Sequence, residues 1–121
     1  MKNKKRKKES SERIIEIIAK AAEDKQAVDL KILDVKKTSN LVDFLIICSA
    51  ESSPQLHAIA KEIDKQLRKN QIKGFRWQGV LKSGWVLLDL GAVVAHVMAE
   101  AEREYYNLEE LWGKEAIVYH Y

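Results

Sequence analysis

A chain of 121 residues, 46% apolar and 32% charged, has the make-up of an ordinary water-soluble protein, and its length suits one domain. No apolar run approaches the roughly 20 residues that span a bilayer, and the basic start leads into an amphipathic pattern rather than a signal peptide. The single cysteine, Cys48, allows no internal disulfide and suits a reducing compartment, so the expectation is a cytoplasmic protein without membrane contact.

The formal net charge of +3 conceals an uneven distribution. Lys2, Lys4, Lys5, Arg6, Lys7 and Lys8 are packed into the first eight residues, and without these six cations 15 basic residues face 18 acidic ones. Residues 1–10 therefore read as a basic, disordered tail and 11–121 as a single, slightly acidic domain. Such a tail either solubilises the chain or is drawn weakly to phosphate, as on RNA. The body shows no basic stripe interleaved with aromatics, so it does not read as a nucleic-acid binder.

From Ser11 to about Lys25, Ile14, Ile15, Ile18, Ala19 and Ala22 recur at helical spacing, with Ser10 or Ser11 as N-cap. Val28–Val35 is β-branched and aliphatic, which predicts a strand. Leu41–Cys48 predicts a second strand, and its nearly unbroken apolar run places it centrally in a sheet, covered on both faces. Ser53 then reads as an N-cap with Pro54 in the first helical position. Leu56, Ile59, Ala60, Ile63 and Leu67 follow as the clearest amphipathic helix in the chain. Gly74 stops it, Phe75–Val80 reads as a short strand, and Leu81–Gly84 as a turn. Helices at both ends and strands between them give an α/β domain with a mixed sheet.

The stretch WVLLDLGAVVAHVM, Trp85 to Met98, reads as a hairpin with Gly91 and Ala92 in its loop. Period-two alternation places Val86, Leu88, Leu90, Val93, Ala95 and Val97 on one wholly apolar face, which must be core. The other face carries Trp85, Leu87, Asp89, Val94, His96 and Met98. Asp89 and His96 fall diagonally across this ladder, where they could form a hydrogen-bonded pair fixing the hairpin, contact a partner, or serve as base and orienter. No nucleophile accompanies them, and His57 and His120 stand at no metal-ligand spacing.

Ala99–Tyr106 suits a helix, Asn107 a break, and Leu108–Trp112 a short helical turn. Leu108 and Leu111 are expected to pack back on the sheet. Tyr105, Tyr106 and Trp112 lie among glutamates, which describes either further packing or an interface aimed at a basic partner; Trp85 and Tyr106 fit both descriptions.

Nucleotide and redox motifs are missing. The five glycines are scattered, with no phosphate-cradling loop, and one cysteine permits no C-x-x-C. Cys48 ends an apolar strand and reads as inert core. A nucleotidyl transferase needs two carboxylates one residue apart on a strand, whereas Asp43 is followed by Phe44 and Leu45. These readings predict no enzyme, no cofactor and no metal.

The pattern W-V-L-L-D-x-G from Trp85, then Val94 and His96, then R-x-x-Y-x-L-E-x-L-W from Arg103 to Trp112, resembles the ribosomal silencing factor (iojap-like) family. Agreement extends upstream through Asp29, Leu33-Asp34-Val35, Asp43–Ser49, Ser52-Ser53 and Ala58-Ile59-Ala60, covering about Ile14 to Trp112. The resemblance implies a mixed five-stranded sheet with flanking helices, nucleotidyltransferase-like without the catalytic carboxylates. It also implies a translation regulator that binds the large ribosomal subunit through ribosomal protein fourteen (uL14) and sterically blocks subunit joining. A large-subunit assembly factor and a nucleotidyltransferase-like nucleotide binder are the alternatives. The resemblance places partner-binding residues at Trp85, Asp89, Leu90, His96, Arg103, Tyr106, Glu109 and Trp112. Peripheral ribosomal RNA contact by the basic tail, and a homodimer of the free protein, are compatible with it. Ala92, Gln78, Ala50 and Asn107 depart from the residues usual in the family at those positions, chiefly around the hairpin tip.

Overall fold

The computed structural model describes residues 10–112 and the backbone of 117–120, so the expectations for the basic tail up to residue 9 lie outside the described residues. Helix α1 spans Ser11–Asp24; Ser10 caps it, its hydroxyl accepting from the Arg13 N–H at 3.1 Å. Its small buried residues Ala19, Ala21 and Ala22 let the helix lie close to its neighbours, with Ile14 and Ile18 as the larger anchors. Strand β1 (Val28–Asp34) leads to β2 (Phe44–Ala50), which begins three residues later than the apolar run suggests. The Ser39 hydroxyl accepts from the backbone N–H groups of Leu41 and Val42, at 3.1 and 3.0 Å. That turn leaves Leu41 86% exposed, and pairing starts only at Phe44.

Helix α2 (Ser53–Lys69) is capped by Ser52 rather than Ser53, with Ser52 Oγ accepting from Gln55 N–H at 3.2 Å. Ser52 is extended (φ −151°) and so has its hydroxyl free to turn inward, while Pro54 still falls where no intrahelical N–H is needed. Leu56, Ile59, Ile63 and Leu67 are all buried, as the periodicity requires. Burial of side chains of this size is worth about 1.5–3 kcal/mol each.

Strand β3 (Arg76–Val80), a single 3-10 turn (Leu81–Ser83), β4 (Trp85–Asp89) and β5 (Val93–Ala99) follow. Helices α3 (Glu100–Tyr106) and α4 (Leu108–Trp112) are separated by Asn107, whose left-handed backbone (φ 45°) ends the first of them. The sheet order is β3-β4-β5-β2-β1-β6, with β2 parallel to β5 and the other pairs antiparallel. The expected mixed five-stranded sheet is therefore present, and β6 (Ile117–His120) extends it by pairing with Lys31–Asp34. Four residues are too few to show a period in sequence, and long-range pairing alone makes them a strand.

The hairpin takes the register that alternation predicts: Leu87 opposes His96, Leu88 opposes Ala95, and Leu90 N–H donates to Val93 C=O at 2.9 Å. Two apolar clusters result. One lies between the sheet and α1–α2 and includes Ile46, Cys48, Val86, Leu88, Val93, Ala95 and Val97. The other, on the opposite face, is formed by Leu33, Val35, Leu45, Ile47, Val94 and Met98. Strand β2 contributes to both, which confirms its central position.

Candidate functional site

The site is the sheet face away from α1 and α2. Alternation along β4 and β5 turns Trp85, Leu87, Asp89, Val94, His96 and Met98 towards it. Val94 and Met98 are buried in the second cluster, and Trp85, Leu87, Leu108 and Trp112 pack around its margin. Helices α3 and α4 thus roof one end of this face and leave the other open. Leu108 packs back as expected. Leu111 does not: it is 76% exposed, because the short helix turns that side outward.

At the boundary between roof and open face, the aromatic rings form a continuous chain. Trp85 contacts His96 at 5.9 Å between ring centroids and Tyr106 at 4.8 Å, and Tyr106 meets Tyr105 edge-on at 4.9 Å. Tyr105 is 81% and Tyr106 51% exposed. Val80, directly opposite Trp85 in the β3–β4 ladder and 60% exposed, extends the apolar surface along the open face. Val80 could have been found only with the strand register in hand. Glu100, Glu104 and Glu110 are exposed on α3 and α4 and give the rim a negative charge.

Asp89 and His96 are not hydrogen-bonded to each other, contrary to the pairing considered from the sequence. Asp89 Oδ1 accepts from Gly91 N–H at 2.8 Å, so this carboxylate fixes the hairpin turn by itself. Across the ladder Asp89 faces Val94, and His96 faces Leu87. The His96 ring instead accepts at Nδ1 from Trp85 Nε1–H at 3.1 Å. An indole N–H can only donate, so Nδ1 is unprotonated and the neutral ring carries its proton on Nε2. Burial, with no carboxylate partner, lowers the His96 pKa to about 4.

This depressed pKa has a consequence for stability. The unfolded chain binds a proton near the usual histidine value of about 6.5, whereas the folded ring resists it down to about 4. The contribution is complete above pH 6.5 and is lost as pH falls through that window towards 4. About 2 kcal/mol of stability is expected to disappear between pH 6.5 and 5. Urea titrations across that interval would measure it, and His96→Gln should flatten the slope. An unchanged slope in the variant would show that another group titrates there.

Arg103 is placed on the contact surface by the resemblance, but its guanidinium is turned inward. A bulge in β1 between Val28 and Lys31, with Asp29 at φ 48°, breaks the regular ladder beside the carbonyls of Val28 and Asp29. Arg103 Nη1 donates to both, Val28 O at 3.3 Å and Asp29 O at 2.6 Å, and to Ser49 Oγ at 3.0 Å. Nη2 donates to Glu109 Oε2 at 3.0 Å, and Lys31 Nζ reaches the same oxygen at 3.2 Å. Burial alone would raise the Glu109 pKa; hydrogen bonds and charge from Arg103 and Lys31 outweigh it and hold the carboxyl below its usual value. Arg103 and Glu109 therefore fasten α3 and α4 to the sheet edge and offer little free charge to a partner.

Leu90 packs against the cluster under α1 and α2, on the far side of the sheet from Trp85, as the alternation implied. Cys48 is fully buried in that same cluster, and burial raises its thiol pKa to about 12, leaving it unreactive. Among the described residues, no group of three or more His, Cys, Asp or Glu converges where a metal could be held, and no helix is long and apolar enough to cross a membrane.

The family described as ribosomal silencing factor during starvation matches residues 8–119. This chain belongs to the ribosomal silencing factor family. It is 45% identical over 100 residues to the ribosomal silencing factor of Bacillus subtilis, covering 83% of this chain and 85% of that one. A crystal structure of a Chromobacterium violaceum protein superposes with a TM-score of 0.82 at 32% identity, covering 87% of this chain and 88% of that chain. A more distant relative, 26% identical over 101 residues, is the mouse protein named mitochondrial assembly of ribosomal large subunit protein 1; the match covers 81% of this chain and 44% of it. The bacterial relatives are named as silencing factors and not as enzymes. The residues on which the resemblance rests thus lie partly on or beside the aromatic face, at Trp85, His96, Tyr106 and Trp112, and partly in the Arg103–Glu109 fastening.

Proposed function

We propose that this chain is a cytoplasmic translation repressor that docks on the large ribosomal subunit through ribosomal protein fourteen and blocks joining of the small subunit by occupying space. The carrying observation is the chain of rings from half-buried Trp85 to exposed Tyr106 and Tyr105 within an acidic rim. Tyrosine and tryptophan are the residues that most often anchor interfaces, and a negative rim suits a basic ribosomal protein. His96 contributes its Nε2–H as a donor beside Trp85, and Asp89 holds the neighbouring hairpin tip in place. Trp112 supports the face from the roof, while Arg103 and Glu109 act by positioning the helices that carry Tyr106 and Trp112. Leu90 contributes through the core and the hairpin tip. Residues 11–121 act as one domain, and the basic tail reaches nearby ribosomal RNA. The name of the mouse relative favours a second reading, a role in assembly of the large subunit at the same docking site.

The test is sedimentation of the protein with isolated large subunits, isolated small subunits, and both together. The protein is expected to travel with the large subunit only and to reduce the yield of joined ribosomes. Binding to the small subunit alone overturns the reading; large-subunit binding with undiminished joining favours the assembly role.

A further inference from the structure

On the opposite side of the sheet from the aromatic face, a groove of about 660 Å³ runs between α2 and the segment from β3 to the 3-10 turn. This volume is within the range of small-ligand sites, roughly 300–1,000 Å³. Its floor and walls are Ala60, Trp77, Leu81 and Val86. The Trp77 ring is held in one orientation because its Nε1–H donates to Asp64 Oδ1 at 2.9 Å. Gly79 adds to the openness: at φ 92°, a Cβ there would lie 2.6 Å from the Trp85 carbonyl oxygen, so the floor carries no side chain at this point.

The charge on the rim is one-sided. Among the described residues Asp64 is the only carboxylate lining the groove, and besides Trp77 it accepts from Arg68 Nε at 2.8 Å, which neutralises it. Lys61, Lys82 and His57 also line the groove, and among the described residues neither lysine has an ion-pair partner. An apolar slot with a fixed indole in its wall and two uncompensated ammonium groups at its mouth complements one kind of molecule. We infer that this groove binds a small amphipathic anion with a flat aromatic body, the ring seated against Trp77 and the anionic group held between Lys61 and Lys82. Val80 borders both the groove and the docking face, but Trp77, Lys61 and Lys82, on which the inference rests, take no part in the ring chain, so it stands or falls apart from the proposed function.

The probe is 8-anilinonaphthalene-1-sulfonate, followed by its fluorescence on titration into the folded protein, with neutral N-phenyl-1-naphthylamine as the uncharged counterpart. The anion is expected to bind saturably, one per chain, and about tenfold more tightly than the neutral dye. Lys61→Gln with Lys82→Gln, both at exposed positions, should abolish that preference, and Ala60→Phe should fill the slot and remove binding of both dyes. Tyr106→Ala should leave binding unchanged. Absence of saturable binding, an anion preference that survives the double lysine change, or loss of binding in Tyr106→Ala would each overturn the assignment. If Ala60→Phe does not fold, the lysine pair and Tyr106→Ala still decide it.

Discussion

Arg103→Met is expected to remove about 3–4 kcal/mol of folding stability, the largest effect of any single substitution in the C-terminal segment. The residue is 9% exposed, and it donates to the Val28 and Asp29 carbonyls, to Ser49 Oγ and to Glu109, which has Lys31 as a second donor. Methionine matches much of its length but offers no N–H, so the Val28 and Asp29 carbonyls and Ser49 Oγ would lose this donor and the Glu109 carboxylate would keep only Lys31. Glu109→Gln should cost less, about 1 kcal/mol, because the amide still accepts from Arg103 and the group is partly hydrated. Arg103→Lys is not expected to rescue, since a single ammonium cannot reach the bulge carbonyls and Glu109 together. Urea denaturation followed by circular dichroism measures all three. A loss below 1 kcal/mol for Arg103→Met would show that α3 and α4 are held mainly by Leu108 and Trp112.

Trp85→Ala is expected to weaken docking on the large subunit by about 3 kcal/mol, roughly a hundredfold in Kd. Trp85 is half-buried and central to the ring chain, touching both His96 and Tyr106, and it is the donor that fixes the His96 tautomer. Its removal deletes the anchor, frees Tyr106 from its stacking partner and lets His96 turn. Tyr106→Ala removes a smaller ring, the one between Trp85 and Tyr105, and should cost less, about 1–2 kcal/mol. Trp85 also packs on the second cluster, so the variant must be compared with wild type under conditions where both are fully folded by circular dichroism. Binding to purified large subunits gives the number. Undiminished affinity in a folded Trp85→Ala protein would mean that the partner meets a different face.

Much of this was already in the sequence, for identifiable reasons. Ile14 to Ala22 and Leu56 to Leu67 repeat at the period of a helix, and β2 is apolar from Phe44 to Cys48, as two covered faces demand. The hairpin was legible down to its pairs, because Gly91 at φ 84° permits the tight loop and alternation does the rest. Sites set by chain reversal were less legible. The cap moved from Ser53 to Ser52, and β2 lost its first three residues to a turn made by Ser39. Leu111 looked like core but was turned outward, since five residues of helix carry too little pattern to tell which side faces in.

The docking face shows the same division. Local pattern alone determined that Trp85, Asp89 and His96 share one side of a hairpin and that Leu90 lies on the other. It could not say which of them touch, since side-chain hydrogen bonds depend on rotamers and on what packs above the sheet. The tertiary structure separated Asp89 from His96, giving the first to the turn and the second to Trp85. It also drew Arg103 away from the surface, because a bulge in β1, 74 residues earlier in the chain, brings carbonyls within reach of its forked donor. Alternation and periodicity are properties of neighbouring residues, and the sequence displays them directly. Which charges end up spent inside the fold depends on segments brought together from far apart, and that was settled only when the chain closed on itself.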